Sequence, residues 1–218
     1  MALRFSEQLD ELNQTLTRMA SFVEQSIADA SRALRDQDIK LAEQIIKADD
    51  EIDSLEKQIE SFCLQILLLH HPVASDLRYI SSILKVLTDL ERIGDQAADI
   101  SEISILLAKM PRHQDSPYIF KMAELTQKMV IDCIDAFIKQ DIQLAEAVIY
   151  QDDEVDRLFQ VIKDYIFTMI RTNAQDADLA VDYLVIAKYF ERIGDHATNI
   201  AEWAIFAQTG VHKKRRII

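Results

Sequence analysis

The sequence has few of the residues that form turns, cross-links or a basic surface. Its 218 residues include 3 glycines, 3 prolines and 2 cysteines. So few turn-forming residues exclude a β-sandwich or barrel of many short strands. Two cysteines build neither a disulfide framework nor a metal knuckle, and we interpret both as small buried hydrophobes. Because 37 acidic residues face only 24 basic ones, we expect no nucleic-acid binding over a broad surface.

Long hydrophobic runs are missing as well. Apolar runs such as Ile66 to Leu69 are far shorter than the roughly 20 residues that a membrane-spanning helix needs. The first seven residues, Met1 to Glu7, contain no apolar signal core. The hydrophobic content of 49% is too high for a disordered chain. We therefore expect a folded, cytoplasmic protein.

An internal repeat organises the chain. The segment from Asp38 recurs from Asp141 at an offset of 103, and the segment from Glu91 recurs from Glu191 at an offset of 100. Two copies of a unit of about 100 residues are the simplest explanation. We divide the chain into residues 1–110, residues 111–210 and a basic tail, 211–218, which we expect to be frayed.

Each unit has the hydrophobic spacing of three long helices. Apolar residues recur every three or four positions, and no segment alternates long enough to make a convincing strand. The pattern predicts helices over 5–36, 39–70 and 75–108, then over 117–139, 142–172 and 176–209, with Asp38 and Asp141 as N-caps. Short connections favour antiparallel bundles. We therefore predict an all-α fold of two tandem three-helix bundles, related by a pseudo-twofold axis.

Carboxylates recur four residues apart inside the repeated blocks, a spacing that places them on one helix face. In the first unit they are Asp49, Asp53, Glu91, Asp95 and Asp99, and the equivalent residues of the second unit are Asp152, Asp156, Glu191, Asp195 and Asn199. If the second and third helices of a unit pack together, each set converges on one cluster. Clusters of oxygen ligands suit cations such as Mg, Ca, Mn or Fe.

Two interpretations of these stripes stay open. Acidic stripes are commonly solvated faces, and duplication copies a harmless face as faithfully as a metal site. Gly94 and Gly194 lie within the stripes, in mid-helix, where glycine costs about 1 kcal/mol relative to alanine. They indicate either a close approach of two helices or room for an ion.

The repeated blocks resemble the signature of the PhoU family. The resemblance is carried by Glu91-Arg92-Ile93-Gly94-Asp95, by the longer run from Glu191 to Trp203, and by Pro72 to Arg78. It implies two tandem three-helix bundles and a negative regulator of phosphate uptake and of the phosphate regulon. It also implies a relay from a Pst-type phosphate ABC transporter to a PhoR-type sensor histidine kinase. The implied protein is a cytoplasmic homodimer, or is peripheral at the inner face of the membrane, and meets the membrane only through partners.

The resemblance also assigns roles to residues. The family's acidic motifs imply clusters of Fe, Mn, Mg, Ca or Zn ions on the bundles. These motifs match the carboxylates given above, with the neutral Asn199 where the first unit has the charged Asp99. Four further residues are candidates for partner or anion contacts, namely Asp76, Arg78, Arg92 and Arg192. For each arginine, pairing with a local carboxylate is the simpler interpretation.

Enzymatic alternatives also stay open at this point, as a metal-dependent hydrolase or oxidase would use the same carboxylates. A helical scaffold without metal is the third possibility. No histidine has a glutamate three residues before it, which counts against a ferritin-like di-iron site. We interpret His196 as a surface or packing residue and expect no catalytic residue.

Overall fold

A computed structural model describes residues 2–110, 117–212 and 215–216 of the chain. Within these residues, six long helices follow one another: α1 (Ala2–Asp36), α2 (Ile39–His70), α3 (Ser75–Leu107), α4 (Pro117–Lys139), α5 (Ile142–Thr172) and α6 (Ala177–Thr209). A short 3₁₀ helix, Ala174–Asp176, precedes α6. The all-α prediction is confirmed, and the predicted helices agree with these bounds to within one residue, except that α1 begins three residues earlier. Most of the expected boundary between the units, 111–116, lies outside the described residues.

The two units start their second helix in the same way. The carboxylate of Asp38 accepts a hydrogen bond from the Leu41 amide at 3.1 Å, and that of Asp141 accepts one from the Leu144 amide at 3.0 Å. These bonds satisfy amides that have no partner within the helix. The predicted N-caps are therefore confirmed.

Further equivalent pairs relate the two bundles. Arg18 of α1 contacts Glu51 of α2 at 3.0 Å, and Lys121 of α4 contacts Glu154 of α5 at 3.5 Å. Both members of the second pair lie 103 residues after those of the first. The tertiary structure thus preserves the repeat as well as the sequence does.

The two bundles pack along their length and share one continuous hydrophobic core. Helix α3 packs against α6, and α1 packs against α4. Near one end, Arg78 donates to the carbonyl of Gln208 at 3.4 Å, and further along α3 the side chains of Asp89 and Asn199 meet. Since residue numbers rise along α3 as they fall along α6, these two central helices are antiparallel.

The end of the chain differs from the frayed tail that we expected. Helix α6 ends at Thr209 and is capped by Gly210, whose φ of 73° is left-handed. Val211–His212 then pairs with Arg215–Arg216 in an antiparallel ladder. The imidazole of His212 stacks on the indole of Trp203 with ring centroids 4.0 Å apart. This contact holds the start of the tail on α6. The remaining tail residues, 213–214 and 217–218, lie outside the described part.

Candidate functional site

Each mid-helix glycine lies beneath a carboxylate of the neighbouring helix. A Cβ atom at residue 94 would lie 3.1 Å from Asp49 Oδ1 and 2.9 Å from Ile52 Cδ1. At residue 194 it would lie 3.0 Å from Asp152 Oδ1. Of the two interpretations given above, a close approach of two helices is therefore confirmed. In both bundles the atoms nearest to the glycine include a carboxylate oxygen of the neighbouring helix.

The first cluster lies between α2 and α3. Burial and, after it, the negative charges of Asp95 and Asp53 together raise the pKa of Asp49 to about 6. Burial also raises the pKa of Glu91, the charge of Asp95 adds to this effect, and the neighbouring Arg92 opposes it. The carboxylates from the two helices therefore converge closely enough to repel one another.

The second cluster repeats this arrangement between α5 and α6. Burial raises the pKa of Asp152 to about 6, assisted by the charges of Asp195, Asp156 and Glu191. Burial likewise raises the pKa of Asp195, with the charge of Glu191 acting in the same direction and Lys188 opposing it. Two equivalent sites thus hold partly buried negative charge.

The last residue of each stripe also faces the boundary between the bundles. The amide of Asn199 donates to Asp89 Oδ1 at 3.2 Å. The pKa of Tyr189 is raised mainly by burial and, after it, by the negative charge of Asp99. Asp89 and Tyr189 are equivalent positions, as are Asp99 and Asn199. These two contacts are thus related by the pseudo-twofold axis. Asp99 also adds its charge to the environment of Asp49.

Comparison with known proteins agrees with this duplicated arrangement. The sequence profile described as the PhoU domain matches residues 16–104 and 119–204. The chain belongs to the PhoU family.

Relatives match the chain over nearly its whole length. A "Phosphate-specific transport system accessory protein PhoU homolog" from Clostridium acetobutylicum is 36% identical over 207 residues, 94% of each chain. Its namesake from Aquifex aeolicus is 39% identical over 208 residues, which are 95% of this chain and 94% of that one.

Solved PhoU structures share the fold. The crystal structure of PhoU from Pseudomonas aeruginosa has a TM-score of 0.89 at 35% identity, covering 95% of this chain and all of that one. The regulatory protein PhoU from Streptococcus pneumoniae has a TM-score of 0.87 at 28% identity, covering 94% and 97%. The architecture expected from the PhoU resemblance is confirmed.

The four residues suggested for partner contacts have different surroundings in this PhoU chain. Asp76 is exposed in the first turn of α3, whereas Arg78 is partly buried and reaches α6. Arg92 lies 2.8 Å from Asp95 and 3.3 Å from Glu91, so the local ion pair is confirmed for this arginine. Arg192 is exposed and lines an apolar groove beside α5.

His196 is a packing residue of the PhoU fold, as interpreted from the sequence. Its Nδ1 atom lies 2.8 Å from Asp89 Oδ1, on the same carboxylate that accepts from Asn199. The Asp89 side chain is only 14% exposed. This histidine therefore joins α6 to α3 at the boundary between the bundles.

Two residues that distinguish the clusters of this PhoU protein were missed. Burial and the charge of Asp53 raise the pKa of Glu56, which in turn raises that of Glu91. Its equivalent in the second unit is Phe159. Conversely, Lys188 forms an ion pair with Glu191, where the first unit has Thr88. Comparing the positions at which the two copies differ would have found both residues.

The chemistry of both clusters fits a cation. Their ligand atoms are carboxylate oxygens, which hard cations prefer. A cation would offset the burial and the charge repulsion that raise the pKa values of Asp49 and Asp152. In the positions observed within 2–110 and 117–212, no three Asp, Glu, His or Cys side chains form a group that could hold a metal ion. Ion binding therefore requires these side chains to draw together.

Proposed function

We propose that this chain is an accessory protein of a phosphate-specific transport system and a negative regulator of phosphate uptake and of the phosphate regulon. The observation that carries the proposal is the match over about 94% of the chain to relatives named for that role. The match includes both repeats, so it covers the whole architecture.

The mechanism that we propose is a relay between proteins. A homodimer in the cytoplasm, or peripheral at the inner face of the membrane, passes the state of a Pst-type phosphate ABC transporter to a PhoR-type sensor histidine kinase. No helix in the described part of the chain is long and apolar enough to cross a bilayer. In this proposal, membrane contact comes through the partners.

Metal binding at the two clusters is part of the proposal. Asp49, Asp53, Glu91 and Asp95 would hold ions in the first bundle, continued by Asp99. The equivalent residues of the second bundle are Asp152, Asp156, Glu191, Asp195 and Asn199. An ion among Fe, Mn, Mg, Ca and Zn would supply positive charge that ties α2 to α3, or α5 to α6.

We propose no catalytic step. Burial raises the pKa of the Cys63 thiol to about 12 and that of Cys133 well above its usual value. Thiols in such surroundings are poor nucleophiles. What supports a regulatory role is the match to relatives named as accessory proteins of a phosphate-specific transport system.

The test is deletion of the gene in its own host, read with a phosphate-regulon reporter in high and low phosphate. We expect the deletion to raise reporter activity in high phosphate and the wild-type gene to restore repression. Repression that is unchanged in the deletion strain would contradict the proposal. A matched variant, Lys40→Glu, changes an exposed residue at the start of α2 and should complement fully.

A further inference from the structure

The second bundle carries an apolar groove with a basic rim. The groove has a volume of about 440 Å³ and lies between α5 and α6. Its floor is formed by Phe159, Leu184, Val185 and Tyr189, and its rim by Lys163, Lys188 and Arg192. These lining residues include three cations and no carboxylate, in a chain with a net charge of −13. Because Lys188 pairs with Glu191, the positive charge of the rim comes mainly from Lys163 and Arg192.

The equivalent positions of the first bundle have a different character. By the offsets of the repeat, Phe159 and Lys163 correspond to Glu56 and Glu60, while Tyr189 corresponds to Asp89. The seven equivalent positions of the first bundle thus hold three carboxylates and two cations, whereas the groove of the second bundle has three cations and no carboxylate. Duplication began with identical faces, so the charge difference arose afterwards.

The first bundle also exposes apolar residues next to this acidic face. Glu56, Glu60, Leu64 and Leu68 follow one another at intervals of four along α2, so they lie along one stripe of the helix. Leu64 is 49% exposed and Leu68 is 74% exposed. Large exposed side chains beside acidic ones are what an apolar groove with a basic rim accommodates.

We propose that the groove of the second bundle binds the α2 stripe of a second copy of this chain. Leu64 and Leu68 of one copy enter the apolar floor of the other, and Glu56 and Glu60 face the basic rim. This assigns the contact faces of the homodimer given under Proposed function and rests on that dimer.

Each copy has both faces, which permits a closed dimer. In a twofold dimer the same contact forms twice, since the stripe of each copy meets the groove of the other. Doubling also doubles the buried area, which a stable dimer needs because specific interfaces bury about 1,200–2,000 Å² in total. The proposed assembly is this closed pair.

The test is a charge swap, read by analytical ultracentrifugation of the full chain across a concentration series. Lys163→Glu and Glu60→Lys should each weaken the dimer by about tenfold or more, because like charges would then meet in the contact. The double variant, Glu60→Lys with Lys163→Glu, should restore most of the affinity. Lys40→Glu is the matched control for a charge change on α2 outside the stripe.

Three outcomes would overturn the proposal. A wild-type chain that stays monomeric contradicts both the dimer and its faces. A dimer unaffected by Lys163→Glu contradicts the face assignment alone. If the chain is a monomer that binds phosphatidylglycerol vesicles, and Lys163→Glu abolishes that binding, the groove contacts a lipid surface instead. Far-ultraviolet circular dichroism verifies folding, and the reporter assay tests the regulatory role independently of the dimer.

Discussion

Asp49 of α2 lies directly against Gly94 of α3, since a Cβ atom on that glycine would be 3.1 Å from Asp49 Oδ1. Asp152 lies in the same relation to Gly194, at 3.0 Å. The missing side chain is thus what allows a carboxylate to pack over the neighbouring helix. Charge and close packing are coupled at both sites.

Substitution of the first glycine tests this coupling. Gly94→Val should destabilise the protein by about 2 kcal/mol, because its branched side chain must displace Asp49 and Ile52 from a packed site. Urea unfolding followed by circular dichroism measures the change in free energy of unfolding. Gly94→Ala is the control, because its gain in helix propensity of about 1 kcal/mol offsets part of the crowding. Equal stability of the valine variant and the wild type would show that residue 94 is not confined.

The buried carboxylates predict an unusual pH dependence in chelator-treated protein. The pKa of Asp49 and that of Asp152 are each raised from 3.8 to about 6. A raised acid pKa means that the folded state binds the proton more tightly than the unfolded state does. The stabilising contribution is therefore complete below pH 3.8 and is lost as the pH rises through about 6.

Asparagine at these positions should remove that loss. Asp49→Asn and Asp152→Asn should raise the melting temperature at pH 7.5 by up to about 3 °C, given solvent screening of partly exposed charge. Near pH 4 the difference from wild type should shrink, and scanning calorimetry in EDTA at both pH values measures it. Glu43→Gln, at an exposed site of α2 whose charge is not among those that raise the pKa of Asp49, is the control. A variant less stable than wild type at pH 7.5 would contradict the repulsion inferred here.

The boundary between the bundles predicts an energetic coupling. Asp89 accepts from Asn199 and contacts His196 across that boundary, so Asp89→Ala should cost about 1–3 kcal/mol by leaving polar groups unsatisfied. A double-mutant cycle of Asp89→Ala with Asn199→Ala should give a coupling of about 0.5 kcal/mol or more. Glu43→Ala, at an exposed site of α2, provides the control. Strict additivity of the two alanine variants would show that this contact adds nothing.

The sequence predicted the fold well because its signals are local. Hydrophobic spacing, the caps at Asp38 and Asp141, and the repeat each depend on residues close together in the chain or on internal similarity. These signals located every long helix to within three residues at either end.

Contacts between bundles could not be predicted in the same way. Periodicity tells which face of α3 is buried, yet it does not show that Asp89 meets Asn199 of α6. The same holds for the pairing of Arg215–Arg216 with Val211–His212, which lies beside the stacked rings of Trp203 and His212. For the clusters, spacing identified the acidic stripes, whereas Glu56 and Lys188 lie at positions where the two copies differ, which a search for repeated residues passes over.

Anomalous diffraction from crystals of the protein loaded with Mn²⁺ tests metal binding at the clusters. We predict anomalous peaks in both bundles, each about 2.0–2.6 Å from carboxylate oxygens, in the first bundle those of Asp49, Asp53, Glu91 or Asp95 and in the second their equivalents. Glu91→Gln with Asp95→Asn should remove the first peak and leave the second. Full Mn²⁺ loading with no peak at either cluster would contradict the proposed sites.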